Sequence, residues 1–103
     1  MARFPETTLS KSDEAANEVA REKGRTFLHA ILCEIMDHPS DISVTYTVGD
    51  RTTIYKVDCH PKSLGQLIGS KGKNISGIRA VISAMMARKG IRAIVEIPYI
   101  EQD

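Results

Sequence analysis

Between Ile68 and Ile75 the chain reads Gly69-Ser70-Lys71-Gly72-Lys73-Asn74: two glycines three apart, two lysines and an amide, set between apolar stretches with helical spacing. Glycine at both ends of such a turn permits positive φ and removes the Cβ atoms that would hold another backbone away. A helix that starts after the turn offers unpaired N–H groups and a partial positive charge in its first turn. With the mobile ammonium groups of Lys71 and Lys73 at the same spot, this is chemistry for holding phosphate.

Bond-breaking chemistry finds less support. A nucleotide-hydrolysing loop needs Gly-x-x-x-x-Gly-Lys-Ser/Thr, but Leu67 stands at the first glycine and Asn74 at the hydroxyl position. Leu67 also defeats the dinucleotide pattern Gly-x-Gly-x-x-Gly. Asp58 and His60 could pair as orienter and base, yet no serine or cysteine nucleophile accompanies them in a known arrangement, and His60 beside Pro61 reads as the cap of a short helix. The residues therefore predict no enzyme. His29, His38 and His60 share no metal-ligand spacing with one another or with carboxylates, and Cys33 and Cys59 make neither a disulfide framework nor a zinc cluster. No metal and no cofactor is expected, and both cysteines read as small, half-buried apolar residues.

The formal net charge of +1 conceals a strong asymmetry. Residues 1–55 carry six Lys/Arg against nine Asp/Glu, residues 56–92 carry eight against the single Asp58, and residues 93–103 carry none against three. The middle block, at +7, is the one that holds the glycine turn, which makes it an electrostatic footprint for a polyanion.

The elements that must position this turn are legible from periodicity. Residues 1–11 are polar and aperiodic, and read as a disordered arm. Ser12 is an N-cap candidate with Asp13 and Glu14 in the first turn. Ala16, Val19 and Ala20 form a weak apolar face, and Phe27, Leu28, Ile31, Leu32, Ile35 and Met36 a clean helical stripe ended by Asp37-His38-Pro39. Gly24 either weakens one long helix or separates two. Ile42, Val44, Tyr46 and Val48 alternate with polar residues as a strand with one buried face. Gly49-Asp50 turns the chain into a second strand with Tyr55, Val57 and Cys59 on one side. His60-Pro61 opens a short helix with Leu64, Leu67 and Ile68 on its apolar face. Beyond the glycine turn, Ile75, Ile78, Ile82 and Met85 recur at helical spacing, Gly90 suits the C-terminal cap, and Arg92 to Pro98 forms a last strand burying Ala93, Val95 and Ile97.

The run His60-Pro61-Lys62-Ser63-Leu64-Gly65-Gln66-Leu67-Ile68-Gly69-Ser70-Lys71-Gly72-Lys73-Asn74-Ile75, followed by Ile78-Arg79, resembles the KH domain of bacterial type, and most closely the small single-KH proteins of the KhpA family. That resemblance implies an α+β fold in the order α-β-β-α-α-β, with a three-stranded mixed sheet and helices on one face. The KH domain would span 27–98, preceded by an N-terminal helical extension over 1–26 and followed by an acidic tail at 99–103. Nothing in the family speaks for the extension. Gly77 stands in the second core helix where a small residue such as alanine is expected, at a cost of about 1 kcal/mol in helix propensity, and a close approach by another backbone would account for it.

The resemblance also implies single-stranded RNA as the ligand, clamped by the Gly-x-x-Gly loop. Gly69, Ser70, Lys71, Gly72, Lys73, Asn74 and Arg79 would contact RNA, with bases over Leu64, Ile68 and Ile75 and polar groups of a neighbouring strand reading their edges. It implies a small RNA chaperone or post-transcriptional regulator, acting as a homodimer or paired with a Jag-type KH protein. Val81, Ala84 and Met86, off the core stripe, are candidates for the interface. The competing reading is a protein-assembly module on the same scaffold without RNA binding. No apolar run approaches the roughly 20 residues of a membrane span, so no membrane partner is expected and the expected location is the cytoplasm.

Overall fold

The computed structural model describes residues 11–98, with side chains from residue 14 onward. Of the arm expected over residues 1–11, residues 1–10 lie outside the described residues, as does the tail at 99–103, while Lys11 already belongs to a helix. Helix α1, Lys11–Ile35, leads into strands β1, Ser43–Val48, and β2, Thr52–Asp58. A 3-10 turn at Pro61–Ser63 runs into the short helix α2, Leu64–Ile68; a second at Ser70–Gly72 precedes α3, Lys73–Ala87, and the chain returns as β3, Arg92–Glu96. The order matches the periodicity. The sheet is β1-β2-β3, with β1 antiparallel and β3 parallel to the central β2. It is a mixed sheet of an α+β domain.

Alternation along the strands gives the sheet two chemically different faces. Val44, Thr53, Tyr55, Val57, Ala93 and Val95 are buried beneath the helices, while Thr45, Thr47, Lys56, Asp58, Arg92 and Glu96 face solvent. Leu28, Leu32 and Met36 of α1, Leu67 of α2, and Ile75, Ile78, Ile82 and Met86 of α3 complete one aliphatic core. Each such side chain contributes on the order of 2 kcal/mol when fully buried. Among the described residues no buried side-chain polar atom lacks a hydrogen-bond partner.

Several expectations need correction. The helix is already under way at Lys11, so Ser12 lies inside it rather than at its cap. Gly24 does not divide α1: the helix is continuous through it, and the glycine is there for packing. A Cβ at Gly24 would collide with Oη of Tyr55, which lies against the helix and donates to the Arg21 carbonyl at 2.7 Å. Arg21 Nε in turn donates to the fully buried Thr53 Oγ1 at 3.0 Å. With Tyr46 Oη donating to Glu18 Oε1 at 3.4 Å, the extension is tied to the sheet by three long-range hydrogen bonds among the described residues and by the buried Ala20.

Phe27 and Val19 are largely exposed, because the face of α1 that meets the sheet is centred on Ala20, Gly24, Leu28 and Leu32. Val48, at the tip of the hairpin, is exposed as well. On α3 the buried methionine is Met86 rather than Met85 alone. Met86 is 1 % exposed, with its Sδ 3.7 Å from Tyr55 Oη. Only Val81 and Ala84 of the proposed interface trio are exposed. Among the described residues no helix is long and apolar enough to cross a membrane.

Candidate nucleic-acid interface

The glycine turn joins α2 to α3 in an unusual backbone state. Gly69 has φ 80° and ψ 170°, Lys71 φ 56° and ψ 26°, and Gly72 φ 76° and ψ 16°. Two of these three are glycines, for which positive φ carries no steric cost. Lys71 is the exception, and a left-handed non-glycine residue costs about 1–2 kcal/mol. Gly69 is required twice over: a Cβ there would also meet the Asn74 side chain at 2.6 Å and its backbone nitrogen at 2.8 Å.

The turn is closed from inside. Gly69 N–H donates to Gly65 O at 2.9 Å, ending α2, and Gly72 N–H donates to Gly69 O at 3.0 Å. Those two amides are spent, which leaves the amides of Ser70 and Lys71 as the donors at the crest. Successive amides in a left-handed bend form a concavity suited to an anion. The side chains of Ser70, Lys71 and Lys73 are exposed, and Gly72 has open space where a Cβ would be.

Asn74, expected at the phosphate, also braces the turn from within: its Nδ2 donates to Gln66 O at 2.9 Å. Gln66, which carries no sequence signal, uses its Oε1 to accept the Asp37 N–H at 2.8 Å. The end of α1, the middle of α2 and the start of α3 are joined through these two amide side chains. His60 caps the segment before α2, its Nδ1 accepting the Lys62 N–H at 3.0 Å.

The aliphatic residues divide. Ile75 is buried in the core beneath the turn, while Leu64 and Ile68 are half-buried and pack against that core from α2. A separate open trough lies on the far side of α3, lined by Arg79, Ala80 and Ser83 of the helix and by Ala93, Ile94, Val95 and Glu96 of β3, with a volume of about 600 Å³. Of these, sequence reasoning assigns only Arg79 to binding. The others could be found from topology alone, because β3 pairs on one side only and its other edge must stand open beside α3.

Arg79 crosses that trough: its Nε donates to the Val95 carbonyl at 3.1 Å. The bond also fixes direction. α3 runs away from the glycine turn and β3 comes back towards it, so the trough runs along α3 in the direction of the turn. Arg79, seven residues past Gly72, lies about 10 Å along the helix from it.

Among the described residues no group of three or more His, Cys, Asp or Glu could hold a metal ion. Cys59 is buried, and burial first, then the nearby Asp58 and Asp41 carboxylates, push its thiol up, away from the reactive thiolate. Cys33 is half-buried, with Sγ 3.6 Å from Nδ1 of His29 one helical turn earlier.

Comparison with known proteins falls on the same stretch. A family model described as the KhpA/KhpB KH domain matches residues 25–97. The chain is 27 % identical over 73 residues to the RNA-binding protein KhpA of Chlamydia pneumoniae, covering 71 % of this chain and 94 % of that protein. It is 29 % identical over 73 residues to that of Clostridium acetobutylicum, covering 71 % and 97 %, and 28 % identical over 64 residues to that of Aquifex aeolicus, covering 62 % and 81 %.

Proposed function

The chain belongs to the KhpA/KhpB KH-domain family, and from that premise we propose that it binds single-stranded RNA, with the Ser70-Lys71 crest on the phosphates and the trough between α3 and β3 beneath the bases. The observation that carries this is the left-handed Lys71: a strained non-glycine residue is held at the tip of a basic, outward-facing turn, and such strain is kept where a site needs it. Sugar-phosphate contacts would fix register, while the open β3 edge offers backbone groups to the bases.

Neutralising two to four phosphates on a single strand gives a log–log salt slope of roughly −1.5 to −3. Affinity from one such footprint is on the order of micromolar. Doubling the sites in a dimer, with a second copy or a Jag-type KH partner, raises it without new contacts, and the exposed Val81 and Ala84 on the outer face of α3 are available for that. A role as RNA chaperone or regulator in the cytoplasm, without catalysis, fits this binding mode.

The test is the double substitution Ser70→Asp and Lys71→Asp. Both side chains face solvent, so circular dichroism and the thermal midpoint should change little, while fluorescence anisotropy with a labelled single-stranded RNA should show affinity falling at least tenfold. Undiminished RNA binding by the folded variant would overturn the clamp and favour the protein-assembly reading.

A further inference from the structure

The bond between Arg79 and Val95 bears on which bases the trough accepts. β3 has one unpaired edge, and its backbone groups are what a base inserted beside α3 meets first. Of those groups the Val95 carbonyl is taken by Arg79 Nε. A guanidinium has five N–H donors and no acceptor, so four donors on Nη1 and Nη2 remain at the same place.

Bases differ in what they ask of such a wall. Adenine and cytosine present exocyclic amino groups, which need an acceptor, whereas guanine presents O6 and N7, and uracil its carbonyl oxygens, which need donors. We infer that Arg79 is a base-selecting residue: by holding the Val95 carbonyl it withholds that acceptor from adenine and cytosine and turns donors towards the keto oxygens of guanine and uracil. This rests on the RNA-binding reading above and adds to it a preference for keto-bearing over amino-bearing bases.

The experiment compares two labelled ten-nucleotide RNAs of equal charge, alternating U and G or alternating C and A, by anisotropy at one salt concentration. The full chain should bind the UG strand about tenfold more tightly, the worth of one good side-chain–base pair. Arg79→Met keeps the stem and deletes the donors. It should bring the two affinities within about threefold, mostly by weakening UG binding, as expected for loss of such a pair. Arg79→Lys, which keeps the charge but not the fork, should bind both strands with a reduced preference and guards against misfolding of the methionine variant. The Ser70→Asp, Lys71→Asp chain should lose affinity for both strands by the same factor. Equal or CA-favouring binding by the wild-type chain overturns the inference, as does an equal loss on both strands in Arg79→Met, which would make Arg79 a phosphate contact only. Failure of the wild-type chain to bind either strand would instead remove the RNA-binding reading, and this inference with it.

Discussion

Asn74 Nδ2 donates to the carbonyl oxygen of Gln66 across 2.9 Å, and the same asparagine fills the space that a Cβ on Gly69 would need. One side chain therefore ties the last turn of α2 to the first turn of α3 and holds the glycine bend at the angle that exposes Ser70 and Lys71. Asn74→Ala should cost about 1 kcal/mol, the net worth of one part-buried hydrogen bond. Asn74→Asp should cost more, because a carboxylate cannot donate to Gln66 O and sets a negative charge beside the lysines. Urea unfolding measures the first effect. RNA affinity should fall further for Asp than for Ala, and an unchanged urea midpoint in both variants would remove the brace.

Gly24 and Gly77 should respond oppositely to alanine, although both are helical glycines. Alanine gains about 1 kcal/mol in helix propensity at either site. At Gly77 a Cβ would meet nothing within 4 Å, so Gly77→Ala should stabilise the fold by roughly 0.5–1 kcal/mol. At Gly24 the new methyl collides with the Tyr55 phenol. Overpacking typically costs about 1–3 kcal/mol and the Tyr55–Arg21 bond about 1 more, so Gly24→Ala should be destabilising by about 1–3 kcal/mol net. Thermal midpoints of the two variants moving in the same direction would contradict the packing assigned to Tyr55.

Tyr55 sets an alkaline limit on stability. Burial, with the neighbouring Tyr46 adding to it, pushes the phenol up from 10.0 to about 12. The neutral form is the one the fold accommodates, because a phenolate under α1 would lose its hydration and could not donate to Arg21 O. Stability from this group is therefore complete below pH 10, the unfolded value, and is lost as pH rises towards 12. Tyr55→Phe should be less stable at neutral pH by about 1 kcal/mol, the loss of its bond to Arg21 O, and its disadvantage should shrink or reverse above about pH 11. A wild-type-minus-Phe difference in unfolding free energy that stays constant across this alkaline range would contradict the assignment.

Periodicity makes the element order readable because both faces of the domain are divided: Val44 and Val57 alternate against polar neighbours, and Ile75, Ile78 and Ile82 recur at one helical angle. The turn is readable because positive φ demands glycine at Gly69 and Gly72. What escapes is decided by partners far away in sequence. Gly24 looks like a weak helix position until Tyr55, from the central strand, is laid against it. Met85 and Met86 lie at similar distances from the centre of the stripe, and the proximity of Tyr55 and Gly24 to Met86 decides which one is buried. The bracing role of Asn74 escapes because nothing local announces that Gln66 O needs a donor. The trough is hidden because it belongs to no one segment: α3 supplies one wall and the bare edge of β3 the other.

β3 is the last described strand to leave the ribosome, yet its partner is β2, whose synthesis was finished before α2 and α3 began, and the pairing is parallel. Until Arg92–Glu96 have been added, the growing polypeptide holds a hairpin with an uncovered flank and an α3 with no wall opposite it. Under the RNA-binding mode proposed above, a nascent chain has no finished cleft in which to catch a passing transcript, its own message included. On that mode competence arrives late in synthesis and in one step, and a premature stop before Arg92 would leave the glycine bend with no trough beside α3.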